Sequence, residues 1–196
     1  MYQGTTSVGP LWPKMKWALA PAMAKPYRNG SAGLNPMYAR TFFVTTKTSM
    51  GRALLQSDRN AMLLVDVLRT CMAAGRFQVR DCVIMPNHVH LLITVKGDTT
   101  IEKAMQFVKG GFSFRLKKET AYAGEVWQRR YSEVRVDGEI SMAKYRDYIA
   151  QNPVRAGLAA EADVFQWCFE SLRRNKAQGL KPENNQTLCG PTEVVP

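Results

Sequence analysis

Phe77-Gln78-Val79-Arg80-Asp81-Cys82-Val83-Ile84-Met85-Pro86-Asn87-His88-Val89-His90-Leu91-Leu92-Ile93-Thr94-Val95 decides how this chain folds. Two short apolar runs flank Pro86-Asn87, a dipeptide that suits a turn and little else, so residues 77–85 and the histidine run read as an antiparallel strand pair. His88 and His90 are the only histidines in the chain. On a strand, residues i and i+2 share one face roughly 7 Å apart, so both imidazoles can converge on one ion while Val89 and Leu91 turn to the core. Taken alone, the pair fits two hydrogen-bonded histidines in a sheet equally well.

The pattern extends in both directions. Before the pair, residues 38–47 carry Phe42, Phe43, Val44 and several threonines, as a strand requires. A helix then follows: Ser57 caps it, Ala61, Leu64, Val65, Leu68, Cys71 and Met72 fall at helical spacing, and Gly75 stops it. After the pair, Thr99-Thr100-Ile101-Glu102 fits a capping box opening a helix with the apolar stripe Ile101, Ala104, Met105 and Val108. Gly110-Gly111 is a point where that helix would kink or divide. Residues 126–136 read as a fourth strand ending at Asp137-Gly138, and residues 140–152 as a last helix. The order is that of an α+β, ferredoxin-like βαββαβ antiparallel sheet with an additional C-terminal helix.

Residues 1–37 and 174–196 are rich in turn-forming and polar residues without periodicity, so a leader and a tail are expected around one domain at 38–173. Within the leader, Lys14-Met15-Lys16-Trp17-Ala18-Leu19-Ala20-Pro21-Ala22 is too short an apolar run for a signal peptide and is broken by Pro21. Twenty-seven Lys and Arg against sixteen Asp and Glu give a net charge of +11, which favours a polyanionic partner, nucleic acid first. No apolar stretch is long enough to suggest a membrane span. Cys71, Cys82, Cys168 and Cys189 form no C-x-x-C pair, which fits reduced thiols in a cytoplasmic protein and not a zinc knuckle.

Two histidines are too few ligands for a divalent ion such as Mg²⁺ or Mn²⁺. The last helix offers more: Lys144, Tyr148 and Asn152 are spaced by four and share one face. Tyr145 falls with Met142 and Ile149 on the core-facing stripe and reads as packing. Asn152, directly before Pro153, is also what a helix-ending residue would look like.

Pro86-Asn87-His88-Val89-His90, Val126-Trp127-Gln128-Arg129-Arg130-Tyr131, Asp147-Tyr148-Ile149 and Asn152-Pro153-Val154-Arg155-Ala156-Gly157-Leu158 resemble, in order and spacing, the single-tyrosine transposases of the HUH endonuclease superfamily. The similarity is greatest to the REP-associated tyrosine transposases. It covers about residues 38–173, including Phe165-Gln166-Trp167. What the resemblance implies is a metal-dependent single-stranded DNA endonuclease and strand transferase acting at palindromic or hairpin repeats. By residue, it implies His88, His90 and Asn152 as metal ligands for Mg²⁺ or Mn²⁺, and Tyr148 as the nucleophile that forms a 5′-phosphotyrosine and frees a 3′-hydroxyl. A nucleoid-associated place in the cytoplasm follows, as monomer or homodimer.

Gln128, Arg129, Arg130 and Lys144 are the candidate DNA contacts. The first three mix cations with the flanking Trp127 and Tyr131, as single-strand binding requires, and on a strand only alternate residues would face DNA. Lys144, one turn before Tyr148, is placed to favour the phenolate. Where the family often has a histidine shortly after this motif, Glu133-Val134 has none, which leaves the DNA contacts there open. The alternative is a non-catalytic hairpin-binding regulator that kept the fold. A nucleotide hydrolase of the histidine-triad kind would need H-x-H-x-H, and Leu92 fills the third position.

Overall fold

The structure, a computed structural model, describes residues 39–169; the expected leader and tail, with Cys189, lie outside them. Four strands, β1 (Arg40–Lys47), β2 (Gln78–Met85), β3 (His88–Val95) and β4 (Ser132–Val136), form one sheet in the order β2-β3-β1-β4. Every neighbouring pair is antiparallel. Three helices, α1 (Asp58–Ala73), α2 (Ile101–Thr120) and α3 (Glu139–Arg155), complete the described domain. This is the expected βαββαβ arrangement, with α3 as the additional helix.

Because alternate residues of a strand face opposite ways, β1, β2 and β3 each feed two cores. Phe42, Val44, Val89, Leu91 and Ile93 join the apolar stripes of α1 and α2 on one side. Phe43, Val83, Met85, Leu92 and Val136 meet Tyr145, Tyr148 and Ile149 of α3 on the other. Every residue of β3 is buried, as expected of a strand covered by helices on both faces. Burying a Leu, Ile or Phe side chain this completely stabilises by about 1.5–3 kcal/mol, so the second core is what holds α3 against the sheet.

Local signals operate as expected at several points. The Ser57 side chain accepts from the Asn60 backbone N–H at the start of α1, and Gly75 follows its end in the left-handed region at φ 68°. At α2 the expected capping box is displaced by one residue: Thr100, not Thr99, is the cap, and its hydroxyl accepts from Lys103 N–H. The residue at the reciprocal position is therefore Lys103, which has no carboxylate to complete the box; Glu102 lies instead in the first turn, where its charge suits the helix dipole.

Three further expectations are corrected. Gly110-Gly111 neither kinks nor divides α2, which runs unbroken for 20 residues. A Cβ at Gly111 would stand 3.0 Å from Val67 Cγ1, so that glycine admits close approach of α1. The fourth strand is short: only 132–136 pair with β1, while Trp127 makes an isolated bridge with Thr48. Its side chain is core, packed on Phe112 at 5.3 Å with Nε1 donating to Lys109 O. Finally, α3 does not end at Asn152 but carries Pro153 inside it. It runs to Arg155 and is closed by Leu158 N–H donating to Pro153 O and Gly157 N–H to Val154 O, the Schellman pattern with a left-handed glycine at φ 67°.

Candidate active site

The strand register sets the first half of the site. Thr45 of β1 lies opposite His90, and its Oγ1 is 2.8 Å from His90 Nδ1. Asn87, from the β2–β3 turn, places Oδ1 at 2.8 Å from His88 Nδ1. In both rings one nitrogen is thus held by a neighbour, which turns Nε2 away from that neighbour. The rings lie edge to face with centroids 4.8 Å apart.

Burial decides their charge. His88 is pushed down to about 4, first by burial and then by the Lys47 cation, against a hydrogen bond with Asn152. His90 is pushed down to about 3 by burial, with His88 and Lys47 adding repulsion. Both imidazoles are neutral at ordinary pH, the form that carries a lone pair for a metal.

Helix α3 supplies the second half. The Tyr148 ring meets His90 edge-on at 5.3 Å, and Asn152, one turn later, hydrogen-bonds both His88 and the Tyr148 phenol. Phe43 of β1 organises the aromatic group: it stacks on Tyr145 at 4.5 Å and on His90 at 5.5 Å, and takes Tyr148 edge-on at 5.6 Å.

The spacing rule separated Tyr145 from Tyr148 too sharply, since both are buried and both touch Phe43. Their polar surroundings do differ. Burial raises the phenol pKa of both; for Tyr148 the raise is opposed by the Asn152 hydrogen bond and the Arg155 charge. The Arg155 guanidinium lies 5.7 Å over the Tyr148 ring. Sequence reasoning assigned the helping cation to Lys144, which is exposed one turn earlier. Arg155 was within reach of the same argument, because i and i+7 share a helical face. Thr45 and Phe43 left no comparable signal, since only the sheet register brings them to the histidines, whereas Asn87 directly precedes His88 in the chain.

Gln128, Arg129 and Arg130 lie in the loop before β4 and are all exposed, so the expected alternation does not apply. Lys109 Nζ donates to Gln128 O at 2.6 Å and Arg129 O at 3.0 Å, and Gln128 N–H donates to Lys47 O at 2.9 Å. Three consecutive polar side chains are thus presented from an anchored backbone.

Among the described residues no group of three or more His, Cys, Asp or Glu could hold a metal. The donor set that is present, two neutral imidazoles and one amide oxygen, suits a hard or borderline divalent ion such as Mn²⁺ or Mg²⁺ with positions left open. His88, His90 and Asn152 fit that role.

The family model described as "Transposase IS200 like" matches residues 36–152. The chain belongs to this family. It is also 26% identical over 144 residues to a Haemophilus influenzae protein named as a REP-associated tyrosine transposase, covering 65% of this chain and 81% of that one. A solved structure described as a REP-associated tyrosine transposase bound to a REP hairpin superposes with a TM-score of 0.59 at 21% identity, over 78% of this chain and 88% of that one. The IS200-like fold is thereby shared. No helix of the described residues is long and apolar enough to cross a membrane.

Proposed function

We propose that this IS200-like transposase is a metal-dependent single-stranded DNA endonuclease and strand transferase that acts at palindromic or hairpin repeats through a 5′-phosphotyrosine intermediate. One observation carries the reading: Asn152 hydrogen-bonds both His88 and the Tyr148 phenol, so the candidate ligands and the candidate nucleophile meet at one amide. The REP hairpin bound by the solved relative supports the substrate class.

His88, His90 and Asn152 would hold the ion, and a bound divalent cation would polarise the scissile phosphate. Tyr148 Oη attacks phosphorus, a phosphotyrosine bond forms, and the phosphorus–O3′ bond breaks to release a 3′-hydroxyl. The diester count is unchanged, so a 3′-hydroxyl can later attack the same phosphorus, release Tyr148 and join strands without ATP. Arg155 and the Asn152 amide favour the phenolate that attack requires. Gln128, Arg129, Arg130 and Lys144 contact the DNA strand, chiefly its phosphates.

Tyr148 is only 4% exposed, and burial holds its phenol protonated. That observation favours a second reading, a hairpin-binding regulator that does not cut. Incubation with a single-stranded hairpin oligonucleotide from palindromic repeats flanking the gene, with Mn²⁺ or Mg²⁺, separates the two. The catalytic reading expects a covalent protein–DNA adduct that Tyr148→Phe abolishes while binding persists and that Tyr145→Phe retains. Adduct formed by Tyr148→Phe and lost in Tyr145→Phe would reassign the nucleophile; binding without adduct would establish the regulator.

A further inference from the structure

Residues 48–52 form a tight turn after β1 in which Met50 carries two costs at once. Its backbone is left-handed, at φ 56° and ψ 18°, a conformation costly for a residue with a Cβ. Its apolar side chain is 88% exposed. Among the described residues the other non-glycine at positive φ is Ala121, which ends α2. A turn needing only that backbone would take Gly or Asn without either cost.

The turn is rigidly braced. Thr48 Oγ1 donates to Arg52 O at 2.6 Å, Gly51 N–H to Thr48 O at 3.1 Å, and Arg52 Nε to Ser49 O at 3.1 Å. On one side it is tied to the histidine motif: Asn87 Nδ2 donates to Gly51 O at 3.3 Å, and the same Asn87 holds His88. On the other it is tied to the exposed Gln128, Arg129 and Arg130 loop, through Ser49 N–H to Val126 O at 2.9 Å and the Thr48–Trp127 bridge.

From this placement we infer that Met50 is an apolar wedge that seats against an unstacked base of the single DNA strand running between the basic loop and the histidines. The inference rests on the DNA-cutting reading above and adds a contact to it. Cationic side chains hold phosphates and do not discriminate a stacked strand from a splayed one, whereas an exposed thioether can cover a base face, and apolar wedges of this kind are used to part base steps. A rigid mount is what such a contact requires, because a mobile methionine would lose in ordering what it gained in contact.

The test uses the full chain, a fluorescein-labelled hairpin with a single-stranded flank, and the same hairpin with 2-aminopurine in that flank. Met50→Asn and Met50→Gly keep a turn that tolerates positive φ while removing the wedge; Met50→Leu keeps apolar reach. Both wedge-less variants should melt at or above the wild-type temperature, bind at least about fivefold more weakly and fail to brighten 2-aminopurine, with Met50→Leu within about twofold of wild type. Wild-type affinity and brightening in Met50→Asn and Met50→Gly would overturn the wedge, as would an equal loss in Met50→Leu. If wild type itself did not bind the flank, the DNA-cutting reading would fall as well, a result distinct from intact binding by all variants.

Discussion

Thr45 shows how much of a candidate metal site is decided by a residue that would not itself be a ligand. Its hydroxyl is 2.8 Å from His90 Nδ1, so it engages that nitrogen and leaves Nε2 as the one that can face an ion. Thr45→Val keeps the shape and leaves Nδ1 without its hydrogen-bond partner. Partners of this kind are worth roughly 10–100-fold in metal affinity, so Mn²⁺ binding measured by calorimetry should weaken by at least about tenfold. Affinity unchanged from wild type would show that the hydroxyl does not set the ring. Glu133 illustrates the opposite economy. Burial and the nearby Glu102 raise its pKa above the ordinary carboxylate value, a Tyr131 hydrogen bond only partly opposes them, and Oε2 is buried without a partner. The folded state therefore holds a proton that the unfolded chain has released, so stability falls as pH rises from the ordinary carboxylate value through the raised folded one. Glu133→Gln should raise the melting temperature at pH 7.5 and change it little at pH 4. A variant that melts with wild type at both values would refute the assignment.

Elements were legible in proportion to how locally they are determined. The β2–β3 pair, α1 and its Ser57 cap follow from period and punctuation alone, and they lie where spacing puts them. The stretch around Trp127 did not, because Val126 and Trp127 are as apolar as strand residues. What removes them from the sheet is tertiary: the indole goes to Phe112 and Lys109 O, and no run of sequence announces that partner. The same limit explains Asn152. A proline disfavours helix in its predecessor, yet packing of Ile149, Asn152 and Pro153 carries α3 one turn further, to a Schellman stop that Gly157 signals. That extra turn matters for the site, since it places Arg155 over the Tyr148 ring. Sequence spacing thus found the histidine face and the tyrosine helix separately. Their docking, through Phe43 and the Asn152 amide, is a property of the sheet register and the second core.

For the whole molecule the governing quantity is charge. A net +11 over 196 residues gives a field that draws in any polyanion, so affinity alone says little about where the strand lies. Salt dependence says more, because each phosphate neutralised on a single strand contributes about 0.7 to the slope of log affinity against log salt. Arg129 and Arg130 are exposed side by side on a backbone fixed by Lys109. If both hold phosphates, the double variant Arg129→Ala, Arg130→Ala should lower the magnitude of that slope by about 1.4 on a hairpin with a single-stranded flank. Tyr148→Phe should leave the slope where it is, since burial keeps the phenol protonated and the exchange removes no charge. A double variant that binds more weakly with an undiminished slope would mean that the two arginines order the loop without touching phosphate. The phosphate track would then have to pass elsewhere, and Lys144, exposed on α3 one turn from the tyrosine, would be the next charge to remove.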